Sequence, residues 1–283
     1  MIAVTGANGQ LGKLVIQSLL EKIDSSAIVA LVRNLDKAQD LVKLGIQVRQ
    51  ADYSQPSTLA PALEGIEKLL LISSSELGQR AVQHQAVIEA VKSTEVSFLA
   101  YTSILNADSS PMILAQEHKL TEQAIHAAGI PAVILRNGWY NENFSQNLVG
   151  ILQSGVIASA AQDGQFSCAS RADYAQAAAN VLISPQSHVG KTYELAGDYS
   201  FTQQEFANEV SKQSKQTIEY LNLSEKDLAQ ALVSHGLPEN FANVLADSDT
   251  HAKEGWLFND SGALSTLIGR STTRISQSIK QAL

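Results

Sequence analysis

The sequence predicts an α/β fold: a doubly wound parallel sheet with a smaller C-terminal α/β lobe. Three observations carry this prediction. Over the first 140 residues, short β-branched and apolar runs alternate with stretches of helical periodicity, the pattern of strand, helix and parallel strand repeated. The run LLLI at 69–72 is apolar on consecutive positions, as a strand covered on both faces should be. The 283 residues, 45% of them hydrophobic, are enough for one large α/β domain or two smaller ones.

The elements follow in order. IAVT (2–5) reads as the first strand, and Leu14, Val15 and Leu19 recur at helical spacing in the helix after Leu11. SAIVALVR (26–33) is the second strand, LDKAQDLVKLG (35–45) a helix stopped by Gly45, and IQVRQADY (46–53) the third strand. STLAPALEG (57–65) reads as a short helix, in which Pro61 is a blemish unless it lies in the first turn. The fourth strand lies within 63–75, a long helix spans 79–93, and VSFLAYTS (96–103) is the fifth strand. A helix over 114–128 stops at Gly129-Ile130-Pro131, before the sixth strand AVILRNGWY (132–140). Residues 1–140 thus form the expected nucleotide-binding domain, and 141–283 mainly a second lobe with some segments returning to the sheet.

After Tyr140 the alternation weakens and loop-like stretches rich in Asn, Ser, Gln and Gly appear. RADYAQAAANVLISP (171–185) is an Ala-rich helix, and KTYELAG (191–197) and TIEYLNL (217–223) read as strands. FTQQEFANEVSKQ (201–213) is a helix with Thr202 as N-cap and Glu205 three residues on, a capping-box pattern. The remainder is mostly helical.

Composition narrows the function classes. A net charge of −8 disfavours a general nucleic-acid binder, which needs a basic surface. The single cysteine, Cys168, forbids an internal disulfide and reads as buried packing, and the six histidines show no metal-ligand spacing, so no metal is expected. The absence of a long apolar run or a basic leader points to a cytoplasmic setting without a membrane span.

The most specific local signal is GANGQLG at 6–12. Between a first strand and a first helix, Gly6 permits a tight exit, Gly9 a close backbone approach to a pyrophosphate, and Gly12 close helix packing. The spacing differs by one residue from GxGxxG and is not a Walker pattern. In a βαβ context it points to a dinucleotide, held by the helix N-terminal amides. The second strand ends in Arg33 and Asn34, with no acid before Asp36. A guanidinium suits a 2′-phosphate, which favours NADPH over NADH; a solvated surface arginine is the alternative. Asp52 and Tyr53 would lie near the adenine, or form an ordinary strand-end turn.

VTGANGQLG, Arg33, ADY, LLLISSS, AYTS, LRNGWYNENF and LIGRSTT together resemble the atypical short-chain dehydrogenases of the NmrA-like group. Within that group the chain is similar to bacterial type-two NAD(P)H:quinone oxidoreductases, with triphenylmethane-dye reductases a near relation. The resemblance implies a Rossmann domain with a smaller lobe and NADPH between them, and a small-molecule quinone as substrate. It implies that Gly6, Ala7, Asn8, Gly9, Gln10 and Leu11 hold the pyrophosphate and Arg33 the adenosine phosphate. Ser73, Ser74 and Ser75 would line the cofactor's middle, with Tyr101 and Thr102 among its contacts. Asn137, Gly138, Trp139, Tyr140, Asn141 and Glu142 would sit by the nicotinamide, and Arg171 near the cleft mouth, where a helix-start salt bridge is the alternative.

Ordinary short-chain dehydrogenases use Tyr-x-x-x-Lys to protonate a carbonyl. None of the seven tyrosines here has Lys four residues later, and the corresponding helix reads AQEHKLTEQ. A quinone tolerates that loss, because hydride addition yields a stabilised hydroquinone anion. Positioning and a few hydrogen-bond donors then supply the rate, without flavin. Asn143 and Tyr140 are the expected orienting donors and His118 the expected proton source, with Trp139, Tyr140 and Phe144 as flat walls. Each has a plainer alternative: Trp139 and Tyr140 as core, Asn141 and Asn143 as turn formers, His118 as a helix-surface residue. Glu117 and Glu122 read as a solvated helix face. Two other functions stay open: a non-catalytic NADP(H)-sensing regulator, and a reductase of dyes, imines or activated alkenes.

Overall fold

The computed structural model describes all residues from Met1 to Leu283. Its strands are β1 (Ile2–Val4), β2 (Ile28–Val32), β3 (Gln47–Gln50), β4 (Lys68–Leu71), β5 (Phe98–Ile104), β6 (Ala132–Asn137), β7 (Val156–Ser159), β8 (Thr192–Leu195) and β9 (Glu219–Asn222). The helices before β6 are α1 (Gln10–Leu20), α2 (Gln39–Lys43), α3 (Leu59–Ala62), α4 (Arg80–Lys92) and α5 (Ile113–Ala127). After β6 come α6 (Asn141–Ser145), α7 (Leu148–Ser154), α8 (Arg171–Ile183), α9 (Gln203–Ser214), α10 (Glu225–Ser234), α11 (Glu239–Ala252), α12 (Ala263–Ile268) and α13 (Ile275–Ala282). No helix is long and apolar enough to cross a membrane.

Seven strands form one sheet in the order β3-β2-β1-β4-β5-β6-β8, and β1 through β6 pair in parallel. The order reverses between β1 and β4. In a sheet of this kind, ligands sit beyond the carboxyl ends of the strands at that reversal. The predicted doubly wound fold is therefore the observed one, and β2 and β5 are buried along their whole length.

The chain divides into two compact units. Unit 1 comprises Met1–Ile104, Glu117–Asn137 and Arg171–Tyr193. Its core packs Val29, Leu31, Leu69, Leu71 and Leu99 against Leu59, Val87, Ile88 and Val91, and α1 lies on α8. Small residues allow that approach: Ala175, Ala178 and Ala179 of α8 are buried. Unit 2 comprises Leu105–Gln116, Gly138–Ser170 and Glu194–Leu283. It holds the two-stranded parallel pair β7 and β9 and a cluster of Phe144, Phe166, Phe201 and Phe206, with ring centroids 5.2–6.1 Å apart. Thr202 caps α9 as its spacing predicted, with the reciprocal Glu205 bond present.

One expectation needs correcting. The segment after Tyr140 is not loop-like, because α6, α7 and β7 occupy it. At 5, 7 and 4 residues, these elements are too short to show a period. Pro61 lies in the single turn of the four-residue helix Leu59–Ala62, as its tolerance requires, with a 3-10 turn at Pro56–Thr58 before it. So short a helix loses little to a proline.

Candidate functional site

The first component of the site is the turn between β1 and α1. Gly6 has φ of +57°, the left-handed conformation that lets the chain leave β1 sharply. Gly9 is the N-cap of α1, and its N–H donates to Gly6 O at 2.8 Å. Gly12 lies so close to the turn that a Cβ there would stand 2.4 Å from Gly6 O and 2.8 Å from Ala7 Cα. Close approach is thus to the turn's own backbone, and it fixes the turn against the first helical N–H groups. The first turn of α1 carries no acid, so nothing there opposes an anion. Asn8 Oδ1 is buried without a hydrogen-bond partner. Buried amide oxygens without a donor are rare in native structures.

The second component is the loop after β4. Two of its three serines, Ser73 and Ser74, are held from beneath. Ser73 N–H donates to Thr102 Oγ1 at 2.9 Å. Ser74 N–H donates to His84 Nε2 at 2.9 Å, and Ser74 O accepts from Arg80 Nε at 2.7 Å. The bond to Nε2 fixes the tautomer of neutral His84: Nδ1 carries the proton and donates to Thr121 Oγ1 at 2.9 Å, whose hydroxyl donates to Glu117 O. Arg80 also pairs with Glu117, Nη1 to Oε2 at 3.2 Å. Thr102 is buried, so it positions this loop from below. Neither Arg80 nor His84 stood out in the sequence. The available signal was their i,i+4 spacing, which puts both on one face of α4.

Tyr101 and His118 require corrections. Tyr101 is fully buried, and its hydroxyl lies 2.8 Å from His118 Nδ1, so it is a core residue and not a cofactor contact. His118 is neither a surface residue nor a ready acid. It is sealed in unit 1, where burial, reinforced by the Arg80 charge, holds its imidazole neutral well below the usual range. Glu117 and Glu122 are likewise not a solvated face. Glu117 meets Arg80, and Glu122 accepts from Arg136 Nε at 3.0 Å and Nη2 at 2.6 Å and from Ser103 Oγ at 2.5 Å. The overlooked signal was Arg136 itself, an arginine inside a buried strand that requires an acid nearby.

The neutral histidines predict a pH response. Burial takes His84 from an ordinary 6.5 down to about 3, with Arg80 adding to the shift. Both rings have a folded pKa below the unfolded one, so their stabilisation is complete above pH 6.5 and is lost as pH falls toward the folded values. The slope is about 1.4 kcal/mol per pH unit for each ring. Asp249, half-buried in unit 2 and pushed up by desolvation, opposes this at lower pH. Urea titrations of wild type and His84→Gln separate the terms. The variant is expected to be less stable at neutral pH yet to lose less on acidification to about pH 4.5. Equal losses in the two proteins would remove His84 from the neutral pair.

The adenosine end is expected at the third component, the ends of β2 and β3. Arg33 is exposed, with its guanidinium on Glu76 at 2.5 Å. Asp52 forms a turn, its Oδ1 accepting from Ser54 N–H at 2.9 Å and its Oδ2 from Gln55 Nε2 at 3.2 Å. Tyr53 turns inward: its hydroxyl lies 2.5 Å from Thr5 Oγ1 and 2.9 Å from Ile72 O, tying the strand ends of β1 and β4. Asn137 ends β6, buried, with Oδ1 again lacking a partner. Arg171 opens α8.

In unit 2, Gly138 is buried and Trp139 and Tyr140 are half-buried. Tyr140 is the N-cap of α6, Asn143 N–H donates to Tyr140 O, and the Asn143 side chain is exposed. Glu142 lies in the first turn of that helix. Asn141 is fully buried: its Nδ2 donates to Thr273 O at 2.9 Å and Ser278 Oγ at 3.1 Å, anchoring α6 to the start of α13. Phe144 joins the phenylalanine cluster. No group of three or more His, Cys, Asp or Glu side chains converges as a metal site.

Comparison with known proteins agrees with this fold. The chain is 54% identical over 279 residues to quinone oxidoreductase 2 of Escherichia coli (strain K12), covering 99% of this chain and 97% of that one. It superposes on the crystal structure of an NADPH-dependent quinone oxidoreductase of Escherichia coli complexed with NADPH, with a TM-score of 0.96 and 53% identity over 99% of each chain. The triphenylmethane reductase of Citrobacter sp., complexed with NADP(H), matches with a TM-score of 0.95 at 38% identity over 100% of each chain. The NmrA-like family model spans residues 1–281. With a doubly wound sheet, a glycine turn at its first helix and a family match along nearly its whole length, this chain belongs to the NmrA-like family.

Proposed function

We propose that this chain is an NADPH-dependent quinone oxidoreductase that transfers hydride directly to its substrate. The observation that carries the reading is the likeness to the Escherichia coli quinone oxidoreductase along almost the whole chain. The residues present suit the cofactor. The Gly6–Gly12 turn has no room for a Cβ at Gly12 against its own backbone, which keeps it tight at the N-terminal amides of α1, and the buried Asn8 Oδ1 and Asn137 Oδ1 lack partners.

NADPH supplies the hydride when bound. In this assignment the residues 6–11 hold its pyrophosphate through the N-terminal amides of α1, and Arg33 holds the 2′-phosphate. The loop 73–75, pinned by His84, Arg80 and Thr102, supports the cofactor's middle. Tyr140 and Asn143 orient the quinone and donate hydrogen bonds to the oxygen that gains charge. No side-chain acid is required at the moment of transfer, because the hydroquinone anion is stable enough to be protonated later. His118 therefore serves as a neutral prop behind Tyr101.

The test is NADPH oxidation by flavin-free protein with and without a simple benzoquinone, corrected for the direct reaction. Saturable turnover is expected, and Asn143→Ala or Tyr140→Phe should lower kcat/KM by roughly 10- to 100-fold while NADPH binding persists. Tight NADPH binding with no turnover would move the chain to the sensing class. Turnover with a triphenylmethane dye but not with a quinone would reassign the substrate.

A further inference from the structure

Arg33 already has an anion. Its Nη1 lies 2.5 Å from Glu76 Oε1. Arg33 follows β2 and Glu76 follows the loop after β4, and these strands flank β1 in the sheet. The ion pair therefore reaches across the end of β1, where the glycine turn begins. Glu76 is not a free-swinging side chain. Its Oε2 accepts from Gln83 Nε2 at 2.7 Å, and its N–H donates to Ser74 Oγ at 3.2 Å. Gln83 is itself buried and also donates to Ser54 Oγ at 2.9 Å. A buried amide thus holds the carboxylate in front of the guanidinium.

We propose that Glu76 sets the choice between NADPH and NADH by competing with the 2′-phosphate for Arg33. The proposal rests on the assignment of Arg33 to that phosphate. NADPH must exchange the Glu76 carboxylate on Arg33 for its own phosphate, and then tolerates a like charge held nearby by Gln83. NADH leaves the Arg33–Glu76 pair in place. The pair is exposed, with side-chain exposures of 67% and 41%, so the competition is modest and salt-sensitive.

The experiment is equilibrium titration of the full chain with NADPH and with NADH, for wild type, Glu76→Gln, Arg33→Ala and the double variant. Glu76→Gln is expected to lower the Kd for NADPH by about 3- to 10-fold and to move that for NADH by less than about twofold. The gain should shrink as salt is raised and be smaller in the Arg33→Ala background, where only the like-charge repulsion remains to be relieved. Arg33→Ala alone should weaken NADPH far more than NADH. If Arg33→Ala is selective but Glu76→Gln leaves the NADPH:NADH ratio unchanged, or weakens NADPH, the Glu76 proposal is overturned and the phosphate assignment stands. If Arg33→Ala weakens both cofactors equally, the phosphate assignment fails and the proposal fails with it.

Discussion

Replacing Glu122 with alanine is expected to lower the unfolding free energy by about 3–5 kcal/mol, the usual consequence of removing one partner of a buried ion pair. Glu122 of α5 takes two hydrogen bonds from the Arg136 guanidinium and one from Ser103, and the Glu122 and Arg136 side chains are only 12% and 9% exposed. The change strips a buried positive charge of its bidentate carboxylate and leaves a cavity beside it. Glu122→Gln keeps the shape and one acceptor, so roughly half the loss is expected. Denaturant titration at neutral pH checks both. A loss under about 1 kcal/mol for the alanine variant would mean that the pair is solvated like a surface bridge. The site is affected as well, because Arg136 immediately precedes Asn137 at the end of β6.

Gly12→Ala is expected to remove cofactor binding without unfolding the protein. The new Cβ would overlap Gly6 O and Ala7 Cα, both backbone atoms that cannot rotate aside. The turn must then move by an appreciable fraction of an ångström, and displacements near 1 Å cost roughly 100-fold in positioned interactions. The expected result is a Kd for NADPH raised by roughly 100-fold or more, with a stability loss of about 1–3 kcal/mol from overpacking. Gly9→Ala is the graded control, since its Cβ would meet Gly6 O at 3.1 Å and needs a smaller adjustment. Wild-type NADPH binding by Gly12→Ala would show that the turn does not cradle the cofactor.

The sheet was legible in the sequence because each strand and helix carries its own period. Leu69–Leu71 announced a doubly covered strand, and Thr202 with Glu205 announced a helix start, from nearest neighbours alone. The Gly6 and Gly12 requirements were legible for the same reason, since a sharp exit and a close packing are local. What failed was long-range. In AQEHKLTEQ, periodicity counts two glutamates, a histidine and a lysine as a wet face. The structure buries His118 and spends Glu117 and Glu122 on arginines 37 and 14 residues away along the chain. Which helix neighbours which strand decides such pairs, and no local pattern encodes it. The segment 141–159 failed differently, because four- to seven-residue elements are fixed by packing, as Asn141 against Thr273 and Ser278 illustrates.

The chain's one thiol has a bearing on its durability. Quinones are Michael acceptors, and any accessible thiolate near them is arylated. Cys168 is 2% exposed, and burial beside the Glu142 charge pushes its thiol well up, so it stays protonated and out of reach. Buried and protonated, Cys168 offers an electrophile no accessible thiolate.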